Sequence, residues 1–212
     1  MRSRARQLAI VAVAVLVPFA LLGVWARFYS PASWEAGVLL ALNDPPGLIG
    51  DTAEILNGVG NLPVWAIVTA ALAVLIGFAR GVAAGVLVAL SALSDGAAYV
   101  VKLLVERDRP ETAATEQFFG SDAFSYPSGH TVRATALVAV LAWLLLPDRW
   151  RLPGALLLGL LAGAAMGWAR VALGVHWPTD TIGGTLLGIA WFAVTSAALI
   201  RSVPASERED VE

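Results

Sequence analysis

The side chains able to do chemistry are few in this chain, and they fall in three short stretches. There are two histidines, His130 and His176, and a single lysine, Lys102, among fourteen basic residues. The first stretch is Lys102-Leu-Leu-Val-Glu-Arg-Asp-Arg109-Pro110. Lys102 and Arg109 are seven residues apart, two helical turns, which predicts that both project from one helix face and that Pro110 ends the helix. Two fixed cations on one face near a membrane surface make an anion site. Basic residues at the end of a span also snorkel to lipid head groups, and this stretch alone leaves both readings open.

The second stretch is Tyr126-Pro127-Ser128-Gly129-His130-Thr131, which opens an apolar run. Ser128 is a good N-cap, and Gly129 allows close backbone approach. The unpaired N–H groups and positive dipole end of a helix start can cradle a phosphate. His130 beside them could hand a proton to a leaving oxygen. The plainer reading is a capped helix with an interfacial histidine. The third stretch is Arg170-Val-Ala-Leu-Gly-Val-His176-Trp-Pro-Thr-Asp180. Pro178 suits a first helical position, so Asp180 falls in the first turn and can meet His176. A carboxylate on one imidazole nitrogen fixes the tautomer and leaves the other nitrogen free to attack. A purely structural His–Asp pair is the alternative. Taken together, the stretches supply three cations, a helix N-terminus, a proton donor and a carboxylate-backed nucleophile, which is what phosphoryl transfer requires.

The elements that must position these residues are membrane helices. Of 212 residues 58% are hydrophobic and only 14% charged, and the mean hydropathy is +0.74; soluble domains carry about a quarter charged residues. A bilayer core needs about 20 apolar helical residues. Six stretches answer to that: Arg6 to Arg27, Leu62 to Ala79, Val82 to about Val101, Thr131 to Leu146, Leu152 to Trp168 and Thr181 to Ile200. The first run is long, and no small-x-small site closes it before Arg27, so it reads as a retained span rather than a cleaved signal. Pro31 to Asn61 carries Glu35, Asp44, Asp51 and Glu54 among short apolar pieces and reads as interfacial or re-entrant helices. The expected fold is all-α: a six-transmembrane helix bundle with short interfacial helices between spans one and two. Residues 1–205 form one membrane-embedded domain, and 206–212 form a short polar cytoplasmic tail.

Basic residues favour cytoplasmic flanks. With both termini cytoplasmic, Arg2, Arg4, Arg6, Arg80, Arg149, Arg151, Arg201 and Arg208 fall inside, and Arg27, Lys102, Arg107, Arg109 and Arg170 fall outside with the three stretches. The site is then on the non-cytoplasmic face of a plasma membrane, and the small, arginine-rich chain looks bacterial. A net charge of −2 points to no nucleic-acid partner. With no cysteine, thiolate metal sites and cysteine nucleophiles are excluded. Oligomeric state is not legible.

The combined pattern resembles the type 2 phosphatidic acid phosphatase family of membrane lipid phosphatases. That family's motifs are Lys-x6-Arg-Pro, Pro-Ser-Gly-His and Ser-Arg-x5-His-x3-Asp. They read here as Lys102 to Pro110, Pro127 to His130, and Ala169-Arg170 to His176 and Asp180. The resemblance implies that Lys102, Arg109 and Arg170 hold phosphate oxygens with Ser128 and the Gly129 backbone. It implies that His176 attacks phosphorus, Asp180 orients it, His130 protonates the leaving group, and no metal or other cofactor is needed. Ala169 stands where the family has serine, which implies reduced or retuned oxyanion binding rather than inactivity.

The implied substrate is a lipid phosphate or diphosphate, first an undecaprenyl or other polyprenyl diphosphate, then phosphatidic acid or phosphatidylglycerol phosphate. A lipid phosphotransferase remains an alternative, and a non-catalytic anion or lipid transporter a further one. A vanadate-dependent haloperoxidase shares the pocket residues, but six spans argue against it. Outside the motifs, Asp95 lies about 10 Å deeper than Lys102 on the same face at 1.5 Å per residue. Arg133 lies one turn past His130, and the two charges either pair beneath the site or face a wet cleft separately.

Overall fold

A computed structural model describes residues 2–112 and 124–202, and all its regular elements are helical. Arg208 and the 206–212 tail lie outside the described residues. In chain order the helices are α1 (Arg2–Phe28), α2 (Ser33–Leu42), α3 (Leu48–Gly60), α4 (Leu62–Arg80), α5 (Val82–Ala92), α6 (Ser94–Val105), α7 (Gly129–Leu145), α8 (Arg151–Ala172) and α9 (Pro178–Ser202). A short 3-10 turn, Asp148–Trp150, joins α7 to α8.

Five segments are long and apolar enough to cross a membrane: α1, α4, α5 with α6, the 3-10 turn with α8, and α9. The fourth expected span is α7, with 17 residues, about 26 Å at 1.5 Å per residue and short of a 30 Å hydrocarbon core. Its position explains its composition. Every residue from Thr131 to Leu137, nearly two full turns, is buried, so this part of α7 is walled by other helices. The two polar-interrupted helices α2 and α3 lie between α1 and α4, where short helices were expected.

Lipid tails are as apolar as leucine, so close approach of backbones has to hold such a bundle together. Small residues do this here. A Cβ on Gly163 of α8 would come within 2.6 Å of the Thr135 hydroxyl of α7 and 2.5 Å of the Thr185 hydroxyl of α9. One on Gly188 of α9 would meet the Val132 carbonyl of α7 at 2.8 Å. The α4–α5 hairpin turns at Gly81, whose φ of +94° excludes most side chains. Larger groups fill the centre, where Trp143 meets Phe192 edge-on at 5.8 Å.

The two ends of the bundle carry different groups. At one end Arg4 pairs with Asp148 at 3.0 Å, and Arg80 donates to the Leu144 carbonyl at 3.0 Å. At the other end lie the C-terminal end of α1, the N-termini of α7 and α9, and the segment after α6.

One expectation needs correcting. Helix α6 stops at Val105, not at Pro110, because Glu106 takes a left-handed conformation with φ +50°. Arg107 to Pro110 is therefore non-helical, and Lys102 and Arg109 do not share a helix face.

Candidate active site

Lys102 and Arg109 nevertheless converge. Lys102 Nζ donates to the Phe124 carbonyl at 2.8 Å and the Ser125 carbonyl at 3.0 Å. Arg109 Nη2 reaches the same Phe124 carbonyl at 3.2 Å, and its Nη1 donates to the Val175 carbonyl at 2.7 Å. The left-handed residue swings Arg109 back over the end of α6, so the loop rather than the helix sets the pair. Burial, partly offset by the Asp180 carboxylate, lowers the Arg109 guanidinium to about 10, still cationic at neutral pH.

His176 lies in the loop between α8 and α9 and is 2% exposed. Its Nδ1 is 3.3 Å from Asp180 Oδ2, and its Nε2 is 3.2 Å from Arg109 Nη1. A guanidinium has donors only, so Nε2 accepts and the proton sits on Nδ1, facing the carboxylate. Burial first, then the Arg109 charge, pushes this imidazole well below the ordinary histidine value. The ring is neutral, with a lone pair on Nε2.

Asp180 is fully buried in the first turn of α9. Its Oδ2 also takes the Trp177 N–H at 2.9 Å, and its Oδ1 takes Arg107 Nη1 at 2.7 Å.

His130 begins α7 on the neighbouring wall. Its Nδ1 is 3.2 Å from Arg133 Nη2, and its Nε2 is 3.3 Å from Asn61 Oδ1. Here the guanidinium faces Nδ1, so the proton is on Nε2. Arg133 is ion-paired with Asp95 and also donates to the Gly60 carbonyl at 2.7 Å. Of the two arrangements open for Asp95 and Arg133, the structure has the pair. Gly129 is in close contact with it: a Cβ there would lie 3.0 Å from Asp95 Oδ1.

Ser128 occupies the N-cap position of α7, yet its hydroxyl makes no capping bond. Instead the hydroxyl accepts from Thr131 at 3.0 Å, and the Ser128 N–H donates to the Asp180 carbonyl at 3.0 Å, tying the starts of α7 and α9 together. Arg170, at the end of α8, is buried and hydrogen-bonded to Asn57 of α3. Ala169 sits in a buried apolar cluster with Ala53 and Ala172.

All the expected site residues therefore lie at one end of the bundle. Sequence reasoning missed Asn57, Asn61 and Arg107, which contact them, and Glu35 and Thr179, which hold Arg107. Asn57 and Asn61 are four apart at the end of α3, the spacing of neighbours on one helix face, and that was the available signal. Among the described residues no three His, Asp or Glu side chains are grouped to hold a metal ion.

Residues 81–203 match the PAP2 superfamily. Over 88 residues the chain is 33% identical to the undecaprenyl-diphosphatase of Sulfolobus acidocaldarius, a stretch covering 42% of this chain and 39% of that relative. Over 98 residues it is 36% identical to phosphatidylglycerophosphatase B of Bacillus subtilis, covering 44% of this chain and 46% of that one. The chain thus matches less than half the length of these relatives. In fold it is similar to a solved transmembrane PAP2-type phosphatidylglycerolphosphate phosphatase from Bacillus subtilis. That likeness has a TM-score of 0.74 over 92% of this chain and 98% of the other, at 21% identity. Apolar helices, a transmembrane fold and a family match over more than half of its length make this membrane protein a member of the PAP2 superfamily.

Proposed function

We propose that this chain is an integral membrane lipid phosphatase that hydrolyses a lipid phosphate or diphosphate through a phosphohistidine on His176. The carrying observation is the pinned imidazole, with its Nδ1 proton on Asp180 and its Nε2 lone pair beside Arg109. The phosphoryl group enters between Arg109 and Nε2, where Lys102, Arg109 and Arg170, with Ser128 and the Gly129 amide, take up its oxygens. His176 Nε2 attacks in line, and the P–O bond to the lipid breaks. His130, protonated on both ring nitrogens once the anionic substrate is bound, gives its Nε2 proton to the departing oxygen and is left neutral. Water then cleaves the P–N bond, His130 now acting as base, and inorganic phosphate leaves.

A polyprenyl diphosphate such as the undecaprenyl carrier is the first substrate. Its leaving group is a phosphate monoester, which leans less on proton donation than an alkoxide does. An apolar groove of about 370 Å³ between α1 and α6, lined by Phe19, Val24, Val101, Leu104 and Tyr126, suits a long lipid chain. Phosphatidylglycerol phosphate is the second substrate, favoured by the named activity of the Bacillus subtilis relative.

In the membrane, α7 counts as a sixth span shielded by its neighbours, α2 and α3 lie at the interface, and residues 1–205 act as one unit. Both termini and the 206–212 tail are cytoplasmic, which places the site on the outer face of a bacterial plasma membrane. The test is phosphate release in detergent, with chelator, from a panel of lipid phosphates and diphosphates. Wild type releases phosphate and His176→Ala does not; equal release by both overturns the mechanism. Added alcohol or sugar acceptors separate hydrolysis from phosphotransfer by product.

A further inference from the structure

We propose that Glu35 and Arg107 are positioning residues for the nucleophile: a buried carboxylate–guanidinium clasp sets Asp180, and through Asp180 it sets His176. The proposal rests on His176 being the nucleophile, as argued above. Glu35 is fully buried on α2, and Arg107 is 4% exposed in the segment after α6. Arg107 Nη2 donates to Glu35 Oε2 at 2.9 Å, and Nη1 donates to Asp180 Oδ1 at 2.7 Å. One cation is thus shared by two carboxylates. Thr179 closes the ring: its hydroxyl accepts from Arg107 Nη1 at 2.5 Å and donates to Glu35 Oε1 at 2.5 Å. The Thr179 N–H, at the start of α9, also donates to Glu35 at 3.3 Å. Two indoles flank the guanidinium, with centroids 5.3 Å away at Trp25 and 5.9 Å at Trp177.

Stability is a poor reason to keep such an arrangement. Buried ion pairs are often no better than apolar replacements, because desolvation offsets their attraction. Geometry is a better reason. Asp180 has two oxygens, and only Oδ2 faces the imidazole. The Arg107 fork engages Oδ1 and so fixes the carboxylate plane. Glu35 fixes the other arm of the fork and keeps Arg107 from neutralising Asp180 alone. Asp180 then remains a strong acceptor for the Nδ1–H as Nε2 bonds to phosphorus and the ring becomes cationic.

The test is Glu35→Gln, which keeps the shape and removes the charge. Rates are measured per active site, with active sites counted by trapped phosphoenzyme from labelled substrate, so that loss of folded protein does not register. The expected result is a kcat lower by about 10–100-fold, as for other partners of a ligating or reacting histidine, with KM little changed and slower phosphoenzyme formation. Because the clasp acts through Asp180, Glu35→Gln added to Asp180→Asn should lower the rate no further. A wild-type kcat, or losses that multiply in the double variant, would overturn the clasp. If Glu35→Gln does not fold, Thr179→Val removes the bridging hydroxyl without touching a charge. A smaller loss, again in kcat, is expected, and no loss counts against the proposal. Equal turnover by wild type and His176→Ala would instead overturn the proposed function, so the two failures are distinguishable.

Discussion

His176 and His130 carry their protons on opposite ring nitrogens, and an arginine sets each. Arg109 faces Nε2 of His176 and leaves the proton on Nδ1; Arg133 faces Nδ1 of His130 and leaves the proton on Nε2. At rest one ring therefore offers a lone pair and the other an N–H, and neither is charged until the anionic substrate raises the proton affinity of His130. In-line displacement with a protonated leaving group needs that complementarity before substrate arrives, since reorganisation during the reaction raises the barrier.

Exchanging the two cations at the mouth tests their separate parts. Lys102 and Arg109 share the Phe124 carbonyl but differ in shape. A guanidinium can bind two phosphate oxygens at once, and an ammonium is a point charge. Arg109→Lys should lower kcat/KM by about 10²-fold, in line with losing one well-aimed donor. Lys102→Arg should recover more activity than Lys102→Met. Steady-state kinetics on one lipid phosphate decide both, and equal activity of wild type and Arg109→Lys would count against bidentate binding.

The state of His176 predicts a pH dependence of stability. Its folded value lies well below the ordinary 6.5, so as pH falls the unfolded chain takes up this proton first. The stability that neutral His176 contributes is complete above about pH 6.5 and is lost progressively below it, as pH falls toward the folded value. Thermal unfolding of wild type in detergent should drop between about pH 7 and 5, and His176→Asn should drop less. Parallel curves would argue against a neutral buried ring.

Local spacing made part of this site legible and left the rest hidden. His176 and Asp180 are four residues apart, and Pro178 marks the start of the helix that carries Asp180, so the pair could be read from eleven residues of sequence. The Asp95–Arg133 pair was one of two arrangements that helical spacing allowed. Lys102 and Arg109 converge as expected but by another route, because the left-handed turn at Glu106 has no strong sequence signature. Glu35 meets Thr179 across 144 residues of chain, and Asn61 meets His130 across 69. Such contacts come from packing α2 and α3 against the bundle, and periodicity carries no information about them. The six apolar runs were legible, but the shielding of α7 was not: a helix apolar all round can face lipid or protein.

Asp95 and Arg133 should behave as one unit. Arg133 is almost fully buried, whereas the Asp95 side chain keeps 30% exposure. Removing Asp95 alone should cost roughly 2–3 kcal/mol, under the 3–5 kcal/mol of a fully buried pair, because water reaches its carboxylate. Replacing both should cost less than the sum of the single losses, with a coupling of about 1–2 kcal/mol in a double-mutant cycle of detergent unfolding. Arg133→Met should also slow turnover, since His130 would lose the group that keeps its proton on Nε2.

Ala169 is where the chain departs from the motif it otherwise resembles, and its surroundings predict a mild outcome for introducing serine. The methyl group is fully buried among Ala53 and Ala172, with Leu56 packed against them, while Arg170 beside it is held by Asn57. A hydroxyl in that apolar cluster can bond back to the carbonyl one turn earlier, at Ala165, and such back-bonding is only slightly unfavourable in a helix. Ala169→Ser should therefore leave kcat/KM within about threefold and lower stability by less than about 1 kcal/mol, since its hydroxyl stays bonded. A tenfold rise in kcat/KM would mean that the hydroxyl reaches the phosphate, and that retuned oxyanion binding is what this alanine does.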